Sequence, residues 1–305
     1  MPRPSAKPPK RTPQPASEPI TVEPMWLVKA MGATILVALI CAYLVLCLLF
    51  YQGQWQLVLH PKRTKAAPQS IAGAPYEIIH FGPDATAIPQ LTGWWIPAEH
   101  ANQYGGATVL FLPAGDGSLQ DSVSTLAALH NLGINVFAFD YRGYGQSANT
   151  HPTQQRMIWD TDAAWSYLTD SRSITAKELI VYGAGVGASL AAHLAEKHPQ
   201  ISGVILDDPH ADLLDVARND PRSNLIPLNA LFHDRFPLAE PLAKLQTPKL
   251  LIARSDTAEK MQAAFRAASS PKTTITIQSA ADERYQSAVS AFLESCLHAS
   301  QAHQK

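Results

Sequence analysis

Three short segments of this 305-residue sequence combine residue types and spacings that can do chemistry. The first is Leu179-Ile-Val-Tyr-Gly183-Ala184-Gly185-Val186-Gly187-Ala188, an apolar β-rich run that breaks into glycines and resumes as a helical pattern. It satisfies G-x-G-x-x-A, in which glycines let the backbone approach a pyrophosphate held at a helix N-terminus. Asp207 ends the next β-rich run 24 positions on (207 − 183), with Asp208 beside it; a ribose-binding acid stands about 20 positions on in such sites. A dinucleotide site is therefore one reading. Against it, such a fingerprint normally opens its domain, and here four β-rich runs come first. The second segment is Asp207-Asp208-Pro209-His210-Ala211-Asp212, with His233-Asp234 further on. Carboxylates and imidazoles can ligate a divalent ion, but the spacing matches no recurring metal motif; helix capping and a surface histidine are expected, with no metal and no cofactor. The third is Asp140-Tyr141-Arg142-Gly143-Tyr144-Gly145-Gln146-Ser147. Its glycines permit a tight turn and the Arg142 fork can tie a carboxylate or carbonyls. His60, His80, His193 and His198 have no carboxylate or cysteine at a suggestive spacing and are expected to be structural or solvated.

The elements that must position these residues alternate in type. β-rich runs fall at 76–81, 91–96, 107–112, 134–140, 178–182, 202–206, 249–253 and 273–278, and helical patterns at 120–132, 153–169, 187–197, 258–268 and 283–298. Alternating β and α elements imply a mostly parallel sheet with helices on both faces. Near-continuous apolar runs such as Val-Leu-Phe-Leu and Leu-Leu-Ile-Ala suit strands covered on both sides. Residues 219–240 interrupt the rhythm with Pro221, Pro227 and Pro237 and read as an irregular cap over the carboxyl edge of the sheet.

With 24 basic and 25 acidic side chains the net charge is -1, which argues against nucleic acid as a partner. Three cysteines, two of them (Cys41 and Cys47) in one apolar run, make no disulfide framework. Eight of the 24 prolines lie in residues 1–24, a tail with polyproline character. Ala30 to Tyr51 is then 22 residues without a charge, about 33 Å as a helix and enough for a hydrocarbon core near 30 Å. No small-x-small cleavage site follows, so a retained anchor over 25–52 is expected rather than a signal peptide. Arg3, Lys7, Lys10, Arg11 and Lys29 before it, against Lys62, Arg63 and Lys65 after it, put the N-terminus in the cytoplasm and the domain 53–305 outside.

Asp140-Tyr-Arg-Gly-Tyr-Gly-Gln-Ser147, Asp234-Arg235-Phe236 and Trp55-Gln-Leu-Val-Leu-His-Pro61 after an N-terminal anchor resemble the alpha/beta-hydrolase superfamily, and within it the membrane-anchored serine-hydrolase and serine-aminopeptidase-like group. The resemblance implies an alpha/beta-hydrolase-like α/β fold with a mostly parallel eight-stranded sheet, preceded by one transmembrane helix. It also implies that the Asp140–Ser147 segment is a scaffold turn. The fold carries its nucleophile at the centre of Gly-x-Ser-x-Gly after the fifth strand. Gly183 and Gly187 match the flanking glycines, so the nucleophile position is Gly185, which has no side chain to acylate. Ser189 lies one helical turn too far on. The oxyanion and pocket loop is Pro113-Ala114-Gly115 with Val186, and its proline lacks an N–H. The acid position is Asp256 and the base position, usually histidine, is Asp282. With nucleophile and base both replaced, serine-hydrolase chemistry is expected to be absent. The remaining pocket, with His210 as a candidate lining residue, would take a small acyl or peptide-like ligand or present a surface to a protein partner. An active hydrolase using a non-standard group such as His210 or Asp282 is the alternative.

Overall fold

In a computed structural model of the chain, residues 24–302 are described except 72, 84, 99–103, 105, 256 and 279–281. The proline-rich stretch before Pro24 and the acid position Asp256 lie outside the described residues. The chain divides into two compact units at Leu49 and Phe50, three residues before the expected start of the domain.

Helix α1 (Pro24–Gly53) lies in the first unit up to Leu49 and carries Leu27, Val28, Ile35, Leu36, Val37 and Leu39 exposed. Proline enters at the first turn, where its missing N–H costs nothing, and none interrupts the run that follows. The helix is long and apolar enough to cross a membrane.

Among the described residues the second unit contains ten strands: β1 (His60–Pro61), β2 (Glu77–Pro83), β3 (Pro89–Ile96), β4 (Thr108–Leu112), β5 (Asp116–Gly117), β6 (Asn135–Asp140), β7 (Leu179–Ala184), β8 (Gly203–Asp207), β9 (Lys249–Arg254) and β10 (Lys272–Ile277). Eight form one sheet in the order β10-β9-β8-β7-β4-β6-β3-β2. Pairing is parallel from β10 through β6, and β3 is antiparallel to both of its neighbours. These are the eight runs expected from the sequence. The two-residue strands β1 and β5 pair in parallel with each other and were not expected.

Strand periodicity divides the core. Leu110 and Leu112 of β4, Val181 of β7 and Leu206 of β8 point to one face, where they meet Met157, Leu190, Leu242 and Phe265. Val109, Phe111, Ile180 and Ile205 point to the other, where they meet Leu126, Leu129, Val289 and Leu293. Helices α3 (Gln154–Ser166), α4 (Gly187–Lys197) and α8 (Ala258–Ala267) therefore cover the first face, and α2 (Val123–Asn131) and α9 (Glu283–Ala302) the second. The helix expected over 120–132 starts later because Ser118 and Asp121 form a capping box that holds Leu119–Ser122 as a 3-10 turn. The pattern over 153–169 ends as a π turn, Tyr167–Ser171. The expected cap, 219–240, is a 3-10 turn at Pro221–Leu225 and α6 (Leu228–Leu231), with α5 (Leu213–Arg218) leading into it and α7 (Ala239–Lys244) starting at its end. Its Phe232, Phe236 and Leu238 are buried in the first core.

The Asp140–Ser147 turn is scaffold, as its glycines imply. Gly143 and Gly145 have φ of +93° and +43°. The Asp140 carboxylate accepts the Leu119 N–H at 2.7 Å, and Arg142 Nε donates to Asp160 at 2.6 Å. Burial pushes the Asp140 carboxyl up to about 6, against the Leu119 and Gln146 N–H groups and Arg63, which favour the anion. Between its ordinary value and about 6 the native state thus holds a proton that the unfolded chain has released, so this group's contribution to stability falls as pH rises through that window. In urea unfolding at pH 4 to 7, the wild-type chain should lose stability relative to Asp140→Asn by an amount of order 2 kcal/mol. Parallel pH profiles for the two proteins would show that Asp140 is not desolvated in the native state.

Candidate functional site

The turn from β7 into α4 is set by three glycines with different duties. A Cβ on Gly183 would run into the Gly187 carbonyl, and one on Gly187 into the Leu112 carbonyl of β4. Both positions are closed to any side chain. Gly185 stands between them at φ +52°, a left-handed conformation that glycine reaches without a Cβ clash. Its N–H donates to the Asp207 carbonyl at 2.9 Å and its carbonyl accepts the Ala188 N–H at 3.2 Å. A Cβ here would meet Ala114 Cβ at 3.1 Å, which is tight without being closed. This is a strand-to-helix elbow whose tip carries no side chain. Ser189 points elsewhere, donating to the Pro237 carbonyl at 2.9 Å.

The loop after β4 is held from two sides. Tyr141 Oη donates to the Pro113 carbonyl at 3.3 Å and Tyr144 Oη to the Gly115 carbonyl at 2.9 Å. From the other side β1 lies along it: the His60 N–H donates to the Gly115 carbonyl at 2.9 Å and the Lys62 N–H to the Gly117 carbonyl at 2.7 Å. Arg63 continues the strap by donating to the carbonyls of Tyr144 and Ser147. Leu59 is buried, and a Cβ on Gly115 would stand 2.6 Å from its Cδ2 and 3.0 Å from Val186 Cγ2. Leu59 and Val186 thus fill the space beside Gly115. His60 Nδ1 lies 2.6 Å from Asp116 Oδ1, a carboxylate at no suggestive sequence spacing from it. Their separation of 56 residues hides the pair from any local spacing rule. The strap as a whole had a local signal, the Trp55–Pro61 run, but its contacts were not legible from it.

Asp282, which the sequence reading expects at the base position, accepts the Arg284 N–H at 3.0 Å and pairs with the Arg284 guanidinium at 2.7 Å. The Arg284 bonds hold its carboxyl down to about 2. A carboxylate so tied neither takes nor returns a proton near neutral pH.

His210 lines a cavity of about 620 Å³ with Asp208, Val216, Asn219, Thr257 and Met261. None of Pro113, Ala114, Gly115, Gly185 or Val186 lines it, so elbow and cavity are not joined as the sequence suggested. Its size is in the range of small-molecule sites. Thr257 donates its hydroxyl to Asp208, and Asp212 caps α5 through the Leu214 N–H and pairs with Arg235. Among the described residues no three His, Cys, Asp or Glu side chains converge to hold a metal ion. The acid of the nucleotide reading turns inward: Asp207 is buried and accepts Tyr182 Oη at 2.6 Å and Arg254 Nη2 at 2.8 Å. Burial raises its pKa.

Comparison with known proteins places this geometry. The family model described as serine aminopeptidase, S33, matches residues 107–286. An uncharacterized protein of Mycobacterium tuberculosis is 32% identical over 165 residues, 54% of this chain and 56% of that protein. Human alpha/beta hydrolase domain-containing protein 17C is 31% identical over 121 residues, 40% of this chain and 34% of its own length. The chain therefore spans about half of the first relative and about a third of the second. The esterase Pf2001 of Pyrococcus furiosus shares the fold at a TM-score of 0.60 and 18% identity, over 78% of this chain and 100% of that one.

A side chain at the elbow tip should be costly. Gly185→Ala must hold a Cβ at positive φ and within 3.1 Å of Ala114. It should destabilise the second unit by about 1–3 kcal/mol, a fall of several degrees in melting temperature at roughly 2–4 °C per kcal/mol. A rise in melting temperature would mean that residue 185 does not occupy an elbow.

Proposed function

Since this chain belongs to the serine aminopeptidase, S33, family of the alpha/beta-hydrolase superfamily, we propose that it is a membrane-anchored member without serine-hydrolase chemistry, retaining the fold to bind a small acyl or peptide-like ligand or a protein partner. The observation that carries this reading is Gly185 at the tip of the elbow. Acyl transfer through a serine needs an oxygen there, a base within hydrogen-bond reach, and donors aimed at the developing oxyanion. At 185 there is no atom to attack with. Asp282 is held as an anion by Arg284 and takes the place of a neutral imidazole. Around Gly115 the space is filled by Leu59 and Val186. Each loss alone removes a member of a unit whose parts act together. The fold by itself does not supply the activity.

The ligand reading rests on the cavity at His210, lined by the apolar Val216 and Met261 and the polar Asp208, Asn219 and Thr257. The anchor reading rests on α1, whose length and hydropathy suit one crossing; the excess of Lys and Arg before its uncharged run, Ala30 to Tyr51, puts its N-terminus in the cytoplasm. One observation favours a second reading, hydrolysis by His210: this imidazole is exposed and faces the cavity.

Ester turnover separates the two. The full chain in detergent micelles, offered short-chain p-nitrophenyl esters, should release nitrophenol no faster than micelles alone, and His210→Ala should behave identically. Turnover that is present in the wild type and lost in His210→Ala would replace the binding reading with the catalytic one.

A further inference from the structure

Gln54 is an uncharged polar residue just past α1, yet it is 1% exposed. Its Nε2 donates to the Tyr51 carbonyl at 2.9 Å and lies 3.3 Å from the Leu231 carbonyl and 2.6 Å from His233 Nδ1, while its Oε1 accepts the His233 N–H at 2.8 Å. The Tyr51 ring lies tilted against His233 with centroids 4.7 Å apart. The chain is therefore clamped to the cap loop 231–233 as it leaves the uncharged run that ends at Tyr51.

The cap segment that leads into this clamp is Leu225-Ile226-Pro227-Leu228-Asn229-Ala230-Leu231, seven residues without a charge. Leu228 is buried and roots the segment. Leu225 is 66% exposed, more than any other large hydrophobic side chain among the described residues of the second unit. Pro227 and Ala230 are exposed as well, and Ile226 and Leu231 are half-buried. A single exposed leucine needs no explanation; here Leu225 stands with exposed Pro227 and half-buried Ile226 and Leu231, and it is grouped apolar surface that marks an interaction site.

Chain length decides what covers it. Gln54 follows Tyr51 by three positions, about 5 Å at a helical rise. The polar layer on each side of a bilayer is roughly 5–8 Å deep. With Tyr51 at the edge of the hydrocarbon, Gln54 and the Leu231 carbonyl bound to it lie within the headgroup layer, with no linker to let them move away. From this we infer that Leu225, Ile226, Pro227 and Leu231 seat the cap in the headgroup–acyl boundary of the bilayer that α1 enters, so that the cap is a peripheral membrane contact in addition to the anchor. The inference rests on the anchor reading above.

The test uses the full chain, one copy per phosphatidylcholine nanodisc, with Cys41 and Cys47 replaced by alanine and a nitroxide placed in turn by Leu225→Cys, Leu36→Cys and Gln200→Cys. Leu36 lies in α1; Gln200 is exposed just before β8, at the amino edge of the sheet opposite the cap. Collisions with dissolved oxygen, which concentrates in lipid, are compared with collisions with a water-soluble nickel chelate. Oxygen should dominate at 225 as it does at 36, and nickel at 200. If 36 reports lipid while 225 matches 200, the anchor stands and the seated cap is wrong. If 36 itself reports water, the anchor reading fails and the inference with it. Shielding of 225 from nickel without a gain in oxygen would mean that protein rather than lipid covers the cap, which also overturns the proposal.

Discussion

Close approach of backbone to backbone where β7 turns into α4 is the constraint on which the rest of this domain depends. Gly187 lies so near the Leu112 carbonyl, and Gly183 so near the Gly187 carbonyl, that neither can carry a Cβ. That proximity brings the end of β4, the end of β7 and the first turn of α4 together. It also aligns the loop after β4 with the elbow tip, because Ala114 is the first atom group that a side chain at 185 would touch. The arrangement needs glycine at 183 and 187 whatever stands at 185. Glycine at 185 avoids the strain that a side chain would meet at positive φ, and the backbone crossing does not depend on it.

What surrounds the elbow reinforces it as a packed corner. Tyr141 and Tyr144 spend their hydroxyls on the carbonyls of Pro113 and Gly115, and the β1 strap binds the same loop from the opposite side. Leu59 then occupies the space next to Gly115. The strap follows directly on Gln54, which is fixed to the cap at Leu231 and His233. A single stretch of about ten residues therefore ties cap, loop and elbow together. The cavity at His210 lies apart from this corner, between the loop that follows β8 and the start of α8.

Much of the fold was legible in the sequence because it depends on local pattern. Strands covered on both faces, such as β4 and β9, read as apolar runs, and α4 begins and ends where its glycine and lysine suggest. Gly185 was legible as well, since the flanking glycines fix the register of the elbow and its positive φ followed from that register. Long-range pairing was not. The strands β1 and β5 are two residues each, too short to show a period, and they join positions 56 apart. The same separation conceals His60–Asp116, and 179 residues separate Gln54 from His233. Helix ends moved where side chains competed for backbone groups, as Asp121 does at the Ser118 N–H. The expected pocket combined elbow and cap because both follow strands at the carboxyl edge; the sequence contains no sign that Leu59 would fill the space between Gly115 and Val186.

The central claim is that no serine of this chain is an activated nucleophile, and a fluorophosphonate reports on that more directly than turnover does. The full chain is incubated with an excess of the probe, and its intact mass is compared with that of an untreated sample. The account predicts an unchanged mass, with Ser189 and every other serine unmodified. One adduct per chain, mapped to a serine, would contradict it.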